Sequence, residues 1–231
     1  MAEFYSQVQT NNHVYLISGL GADQRAFSLF TRYFQHKHTF LPWIEPLSDE
    51  PLEAYALRMA RGKIDTRFKR RIGIGLSFGG IIGRALLEKN LLTHLILISS
   101  VKSPAEFRPL FRILRVVPVY RWVPATALKK ILLNSGLIIP SALRHEHQCI
   151  MAEMFAQHSA SYYKWAIHTL LQMPSLPHLE NIYHVHGTHD EVFPIRYICN
   201  AIEIAGGSHL MILTRGKDIS RIIEQIVSDL S

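Results

Sequence analysis

A chain of 231 residues, 48% hydrophobic and 19% charged, can close one sizeable core, and a second full domain would not fit. Two cysteines, Cys149 and Cys199, exclude a disulfide framework and, lacking CxxC spacing, a thiol metal or redox site; both are expected as small core residues. No apolar run approaches the ~20 residues of a membrane span, Leu137–Ile139 included, and the N-terminus lacks the basic start and apolar stretch of a signal peptide, so residence is expected to be cytoplasmic.

In chain order, short β-rich runs alternate with helical patterns, the mark of an α/β fold with a mainly parallel sheet. Strands are expected at His13–Ser18, Thr39–Ile44, Arg71–Leu76, His94–Ser99, Ile182–His186 and Ala201–Ala205. Helices are expected at Arg25–Phe34, Pro51–Arg61, Phe78–Lys89, Pro194–Cys199 and Lys217–Asp229. The alternation breaks once, from Val101 to about Pro174, where Pro104, Pro109, Pro118, Pro124 and Pro140 punctuate helical segments. A helical insertion after the fourth strand would cover the strand C-terminal ends, where open α/β sheets carry their sites. The chain thus divides into a core, 13–100 and 173–231, and an inserted lid, 101–172, within one domain.

Most of the net charge of +7 lies between Val101 and Ile150, where Lys102, Arg108, Arg112, Arg115, Arg121, Lys129, Lys130 and Arg144 face only Glu106 and Glu146. Phe107, Leu110, Phe111 and Leu114 recur there at i, i+3, i+4, i+7, so the favoured reading is a helix with its apolar face packed and its basic face solvated. A nucleic-acid surface is the weaker reading, and peripheral attachment to a membrane a third.

At the end of the third expected strand stands GIGLSFGGIIG, residues 73–83. Gly75-Leu76-Ser77-Phe78-Gly79 matches G-x-S-x-G, a sharp strand-to-helix turn that presents a serine hydroxyl, with glycines where side chains would strike the turn's own backbone. The competing dinucleotide fingerprint G-x-G-x-x-G fails at Gln24 and at Phe78, and a phosphate loop is absent, so no cofactor is expected. Serine needs a base to take its proton. Of thirteen histidines, His209 follows the last strand in a Gly-rich loop on the expected edge; His13, His36, His38 and His94 open or precede strands, while His145, His147, His158 and His168 are assigned to insertion helices. An acid must orient that histidine, and the loop after the fifth strand offers Asp190 and Glu191, nearly equal by spacing.

The order Ser77, acid, His209 after this turn resembles the α/β-hydrolase superfamily, over nearly the whole chain. Gly187-Thr188-His189-Asp190-Glu191-Val192-Phe193-Pro194 is similar to the family's Gly-x-x-Asp-x-x-x-Pro segment, which selects Asp190, and Gly207-Ser208-His209 to its Gly-x-His. The resemblance implies a three-layer sandwich with a helical cap and an oxyanion hole made by the Leu20 and Phe78 backbone N–H groups. Two departures stand out. Ser18 replaces the His of the family's His-Gly, and the chain starts at the family's third strand, so the sheet is expected to be shortened and all-parallel. The implied function is a serine hydrolase acting on a small ester or thioester through an acyl-enzyme on Ser77.

The insertion aromatics Phe107, Phe111, Tyr120, Trp122, Phe155, Tyr162, Tyr163 and Trp165 suggest a substrate with an apolar or aromatic part, and the arginines an anionic group on it. A rival from another class is a small-molecule sensor that uses the pocket with little turnover. His184, His186, His189 and Asp190 also come close to a metal-hydrolase pattern, but Thr188 stands where it needs aspartate. No metal is expected; His184 and His186 read as strand residues and His189 as a bystander.

Overall fold

A computed structural model describes residues 12–136, 143–175 and 180–230. The run Leu137–Ile139 and Pro140 lie outside them. Six strands, β1 (Asn12–Ile17), β2 (His38–Phe40), β3 (Arg70–Leu76), β4 (His94–Ile98), β5 (Ile182–Gly187) and β6 (Ile202–Ile204), form one sheet in the order β2-β1-β3-β4-β5-β6. Every pairing is parallel, which puts all the strand C-terminal ends on one edge.

A parallel sheet buries both faces, and the alternation of side chains divides the core accordingly. Tyr15, Ile17, Leu95 and Leu97 pack on one side with Tyr55, Met59, Ile82 and Leu86 of α2 (Leu52–Ala60) and α3 (Phe78–Glu88). Val14, Leu16, Ile72, Ile74, Ile96 and Ile98 pack on the other with Phe30, Ile212, Ile219 and Ile223 of α1 (Ser28–Thr31), α8 (Met211–Thr214) and α9 (Gly216–Asp229). The central strand β3 shows its second face only as Gly73 and Gly75, and α3 settles there; a Cβ on Gly75 would lie 2.5 Å from Gly80 Cα.

Between β4 and β5 run α4 (Pro109–Val116), α5 (Ala125–Asn134), α6 (His145–Ala156) and α7 (Ala160–Gln172). Phe155, Tyr162 and Tyr163 join the first core half, Met151 and Met154 the second. A segment that reaches both halves has to cross an end of the sheet. It crosses the C-terminal one, because the loop after β1 binds it: Gly21 N–H donates to Tyr162 Oη (3.3 Å) and Asp23 N–H to Met154 Sδ (3.3 Å).

Several elements differ from expectation. The second strand stops at Phe40 because Pro42 has no N–H for a ladder. Arg25–Phe34 is a 3-10 turn, Gln24–Phe27, capped by Asp23 and followed by the four-residue α1. Pro194–Cys199 holds only a 3-10 turn at Ile195–Tyr197, and α8 had no periodic signal. His158 lies in the turn between α6 and α7, its ring 4.4 Å from that of Tyr162. Cys149 and Cys199 are exposed, so neither is a core residue: one faces solvent on α6, the other ends the loop after the Ile195–Tyr197 turn.

The largest reversal is α4, whose arginines bind backbone carbonyls while Leu110, Ile113 and Val116 face solvent and Leu114 is half-buried. Arg115 donates to the carbonyls of Leu171 (2.8 Å) and Met173 (2.7 Å), Arg112 to those of Phe107 and Ala105 (both 2.7 Å), and Arg108 to that of Glu191 (3.0 Å). Leu110, Ile113, Val116 and Val117 are exposed. For Arg115 the cause is at the end of α7, whose last carbonyls have no intrahelical donor; its guanidinium N–H groups satisfy them and complement the negative end of the helix. Phe107 is fully buried and Phe111 partly so, but Leu110 belongs to the other side.

Candidate active site

Ser77 stands at the junction of β3 and α3 with φ 49° and ψ −118°, a region that non-glycine residues rarely occupy. The turn is held from both sides: Ser77 N–H donates to Ile98 O (2.8 Å), and Ser100 Oγ donates to Ser77 O (2.7 Å). Only glycine fits around it, since a side chain on Gly79 would overlap the carbonyl oxygens of Ile17 and Ser18.

The loops after β5 and β6 bring the other two residues to the same edge. Gly187 and Gly207 pack backbone against backbone, where a Cβ on Gly187 would strike the Gly207 carbonyl, and His189 N–H donates to Gly207 O (2.9 Å). His209 thereby lies between the partners expected for it. Its Nε2 is 2.9 Å from Ser77 Oγ, and its Nδ1 is 2.9 and 3.1 Å from the Asp190 carboxylate oxygens. With Nδ1–H donating to Asp190, Nε2 is free to accept the serine proton.

The Asp190 side chain is fully buried. Burial pushes its carboxyl up, but His209 and the backbone N–H groups of Val192 (2.9 Å) and Phe193 (2.8 Å) outweigh this and hold it below the usual carboxylate range. Glu191 is exposed, and His189 is exposed as well.

His184 and His186 are buried strand residues behind Asp190. His186 Nε2–H donates to Phe193 O (2.8 Å) and lies 3.4 Å from Asp190 Oδ2, while its Nδ1 is 3.1 Å from His184 Nε2. Burial, reinforced by the neighbouring imidazole, pushes His184 down to about 3; burial also lowers His186, against the pull of Asp190. Both are therefore neutral at ordinary pH, and His186 steadies the loop that bears the acid. Among the described residues no group of three His, Cys, Asp or Glu side chains is disposed to hold a metal ion.

The loop after β1 lies over the serine; a Cβ on Gly19 would be 3.5 Å from Ser77 Cβ. Among the described residues, the Leu20 and Phe78 N–H groups have no protein acceptor. Ser18 answers for the missing histidine of His-Gly in an indirect way. Its hydroxyl donates to Ala22 O and accepts from Trp43 Nε1 (2.9 Å), which also donates to Gly19 O (3.0 Å). Trp43 in turn stacks on Phe78, centroids 5.5 Å apart, so one indole braces both the loop that bears Leu20 and the helix start at Phe78. Trp43 had no sequence signal, and Tyr162, expected in a substrate pocket, instead holds the Gly21 loop; their partners are 24 to 141 residues away.

The cavity beside Ser77 and His209 measures about 40 Å³ and is lined by Leu20, Leu76, Met151, Leu210 and Leu213 among others. It is aliphatic, not aromatic. Phe107, Phe155, Tyr162 and Tyr163 pack in the core instead, and Trp122 is exposed; Tyr120 and Trp165 line a larger cleft, about 920 Å³, which touches none of the three site residues. We place the candidate site at the smaller cavity because Ser77 and His209 line it.

No protein-family model and no curated protein matches the chain's sequence. Solved structures do. An esterase from Exiguobacterium antarcticum superposes with a TM-score of 0.69 at 14% identity, covering 95% of this chain and 93% of that one. The enol-lactonase of Burkholderia xenovorans LB400 gives 0.68 at 17% identity, covering 94% and 91%, and a bromoperoxidase from Bacillus anthracis 0.67 at 13%, covering 95% and 92%. The chain has the α/β-hydrolase fold.

Proposed function

We propose that this protein is a serine hydrolase that cleaves small esters through an acyl-enzyme on Ser77. The observation that carries the reading is the continuous chain from Ser77 Oγ to His209 Nε2 (2.9 Å) and from His209 Nδ1 to Asp190 (2.9 Å). Esterases and a lactonase among the similar structures add support.

In this mechanism His209 takes the Ser77 proton as Oγ bonds to the ester carbonyl carbon. The oxyanion is stabilised by the Leu20 and Phe78 N–H groups. Collapse breaks the bond to the alcohol, which leaves with the proton from His209. A water then repeats the sequence on the acyl-enzyme and releases the acid. Asp190 holds the imidazole tautomer and stabilises the imidazolium throughout. Residues 101–172 serve as the cap over the core, with Met151 on the acyl side. The cavity beside Ser77 is small, about 40 Å³, so short acyl groups are the expected substrates, as oxygen esters or thioesters.

A fluorophosphonate probe tests the reading. The protein should label once, on Ser77, and Ser77→Ala should not label; equal labelling of both, or of neither, refutes it. A series of p-nitrophenyl esters should then fall in rate from acetyl to octanoyl. A protein that only senses a small molecule would bind an ester without releasing alcohol.

A further inference from the structure

We propose that the face running from Leu110 to Trp122 docks on the surface of an anionic lipid bilayer. This inference does not depend on the hydrolase reading. No helix of the described residues is long and apolar enough to cross a membrane, so the contact would lie in the interface plane.

The apolar side of α4 is turned away from the molecule. Leu110, Ile113, Val116, Val117, Val119 and Trp122 are between 43% and 80% exposed, Trp122 the most, along thirteen consecutive positions. Exposed aliphatic residues scattered singly need no explanation, but a row of this kind on one helix face and its following turn does. The polar residues beside it name the partner. Residues 108–123, RPLFRILRVVPVYRWV, contain four arginines, no acid and no Ser, Thr, Asn or Gln. Among the described residues none of these arginines forms an ion pair with a carboxylate.

Aliphatic side chains with a tryptophan at their margin suit the acyl-chain boundary; Arg112 and Arg121 are exposed beside them, and Arg108 and Arg115, though bonded to carbonyls, keep charges that no carboxylate offsets, which suits anionic headgroups. A protein partner would want neutral hydrogen-bonding side chains at the rim, which this stretch lacks. A second copy of the chain would set arginine against arginine. A single-stranded nucleic acid would stack on aromatic rings, and only Trp122 is an exposed ring here. The inner side of the same helix reaches the site: the Phe111 ring is 6.0 Å from that of Phe193, which is 5.5 Å from His209. A docked molecule would therefore hold Ser77 close to the lipid.

The test uses the intact protein with phosphatidylcholine vesicles, with and without phosphatidylglycerol. Trp43 is buried and Trp165 partly so, which leaves Trp122 to report entry into lipid by a blue shift of its emission. We expect co-sedimentation with the anionic vesicles and that shift, and an affinity that falls at least about tenfold between about 0.05 M and about 0.5 M salt. The triple variant Ile113→Ser, Val116→Ser, Trp122→Ser should weaken binding about tenfold or more while hydrolysing a soluble ester in buffer like the parent. Ser77→Ala should bind as the parent does, so a failed hydrolase assay leaves this result intact. Absence of binding at low salt, binding unaltered by the triple variant, or a dimer in solution that the variant dissociates would each overturn the proposal.

Discussion

The sheet edge and α4 satisfy their polar groups by opposite means, and each orients its residues accordingly. At the edge, glycines let backbone meet backbone: Gly75 against Gly80, Gly79 against Ile17 and Ser18, Gly187 against Gly207. No long side chain is needed there, so the three reactive side chains are left to one another. At α4 the carbonyls in need of donors are met by arginines: Arg115 reaches Leu171 and Met173 at the end of α7, Arg112 reaches Ala105 and Phe107, and Arg108 reaches Glu191. The helix must then rotate its aliphatic side to solvent. Which residues share a face follows from period; which face turns inward depends on where unpaired carbonyls lie.

The sheet edge is the part of this comparison that chemistry can break most sharply. Ser77→Ala should lower ester hydrolysis by at least about a thousandfold with an unchanged melting temperature, since the side chain is small and its backbone bonds persist. A comparable loss in His209→Ala, and no further loss in the double variant, would mark the two as one unit. Additive losses would mean that they act separately.

The next effect is on stability against pH. His184 is held down to about 3 by burial and titrates near 6.5 when unfolded. Between these values the unfolded chain binds the extra proton, so stability is fully present above about 6.5 and is lost as pH falls towards 3, by up to about 5 kcal/mol. His184→Gln should flatten that slope. Asp190, also held low in the fold, adds a loss in the same direction below about 4. Denaturant titrations at several pH values would measure both, and an unaltered slope in the variant would show that His184 does not carry the effect.

Gly75→Ala tests the backbone contacts themselves. Its Cβ would stand 2.5 Å from Gly80 Cα, so β3 and α3 must separate, at a cost of about 3 kcal/mol. Thermal unfolding would register this as a drop of several degrees; a variant as stable as the parent would mean that the helix yields freely.

The sheet core and Ser77 were legible because the inner strands are buried on both sides, so an apolar run such as 94–98 has no wrong face to choose. The G-x-S-x-G turn was legible because Gly75 answers to a local contact, Gly80, although Gly79 answers to Ile17 and Ser18 on another strand. Period gave α4 its two faces but could not say that carbonyls at Leu171 and Met173, some 56 residues on, would claim the arginine side. Trp43, which braces Gly19 and stacks on Phe78, was invisible for the same reason: its partners are set by tertiary contact alone.

The smallest effects sharpen the reversal best, since an inward apolar face and an inward arginine face rank the same two substitutions in opposite order. Arg115→Ala leaves the carbonyls of Leu171 and Met173 without their donor and should cost about 2 kcal/mol. Ile113→Ser removes an exposed side chain, between residues of nearly equal helix propensity, and should stay within about 0.5 kcal/mol of the parent. Urea midpoints of the two variants decide the matter. A larger loss from Ile113→Ser than from Arg115→Ala would mean that the aliphatic row is packed in solution, and would put α4 the other way round.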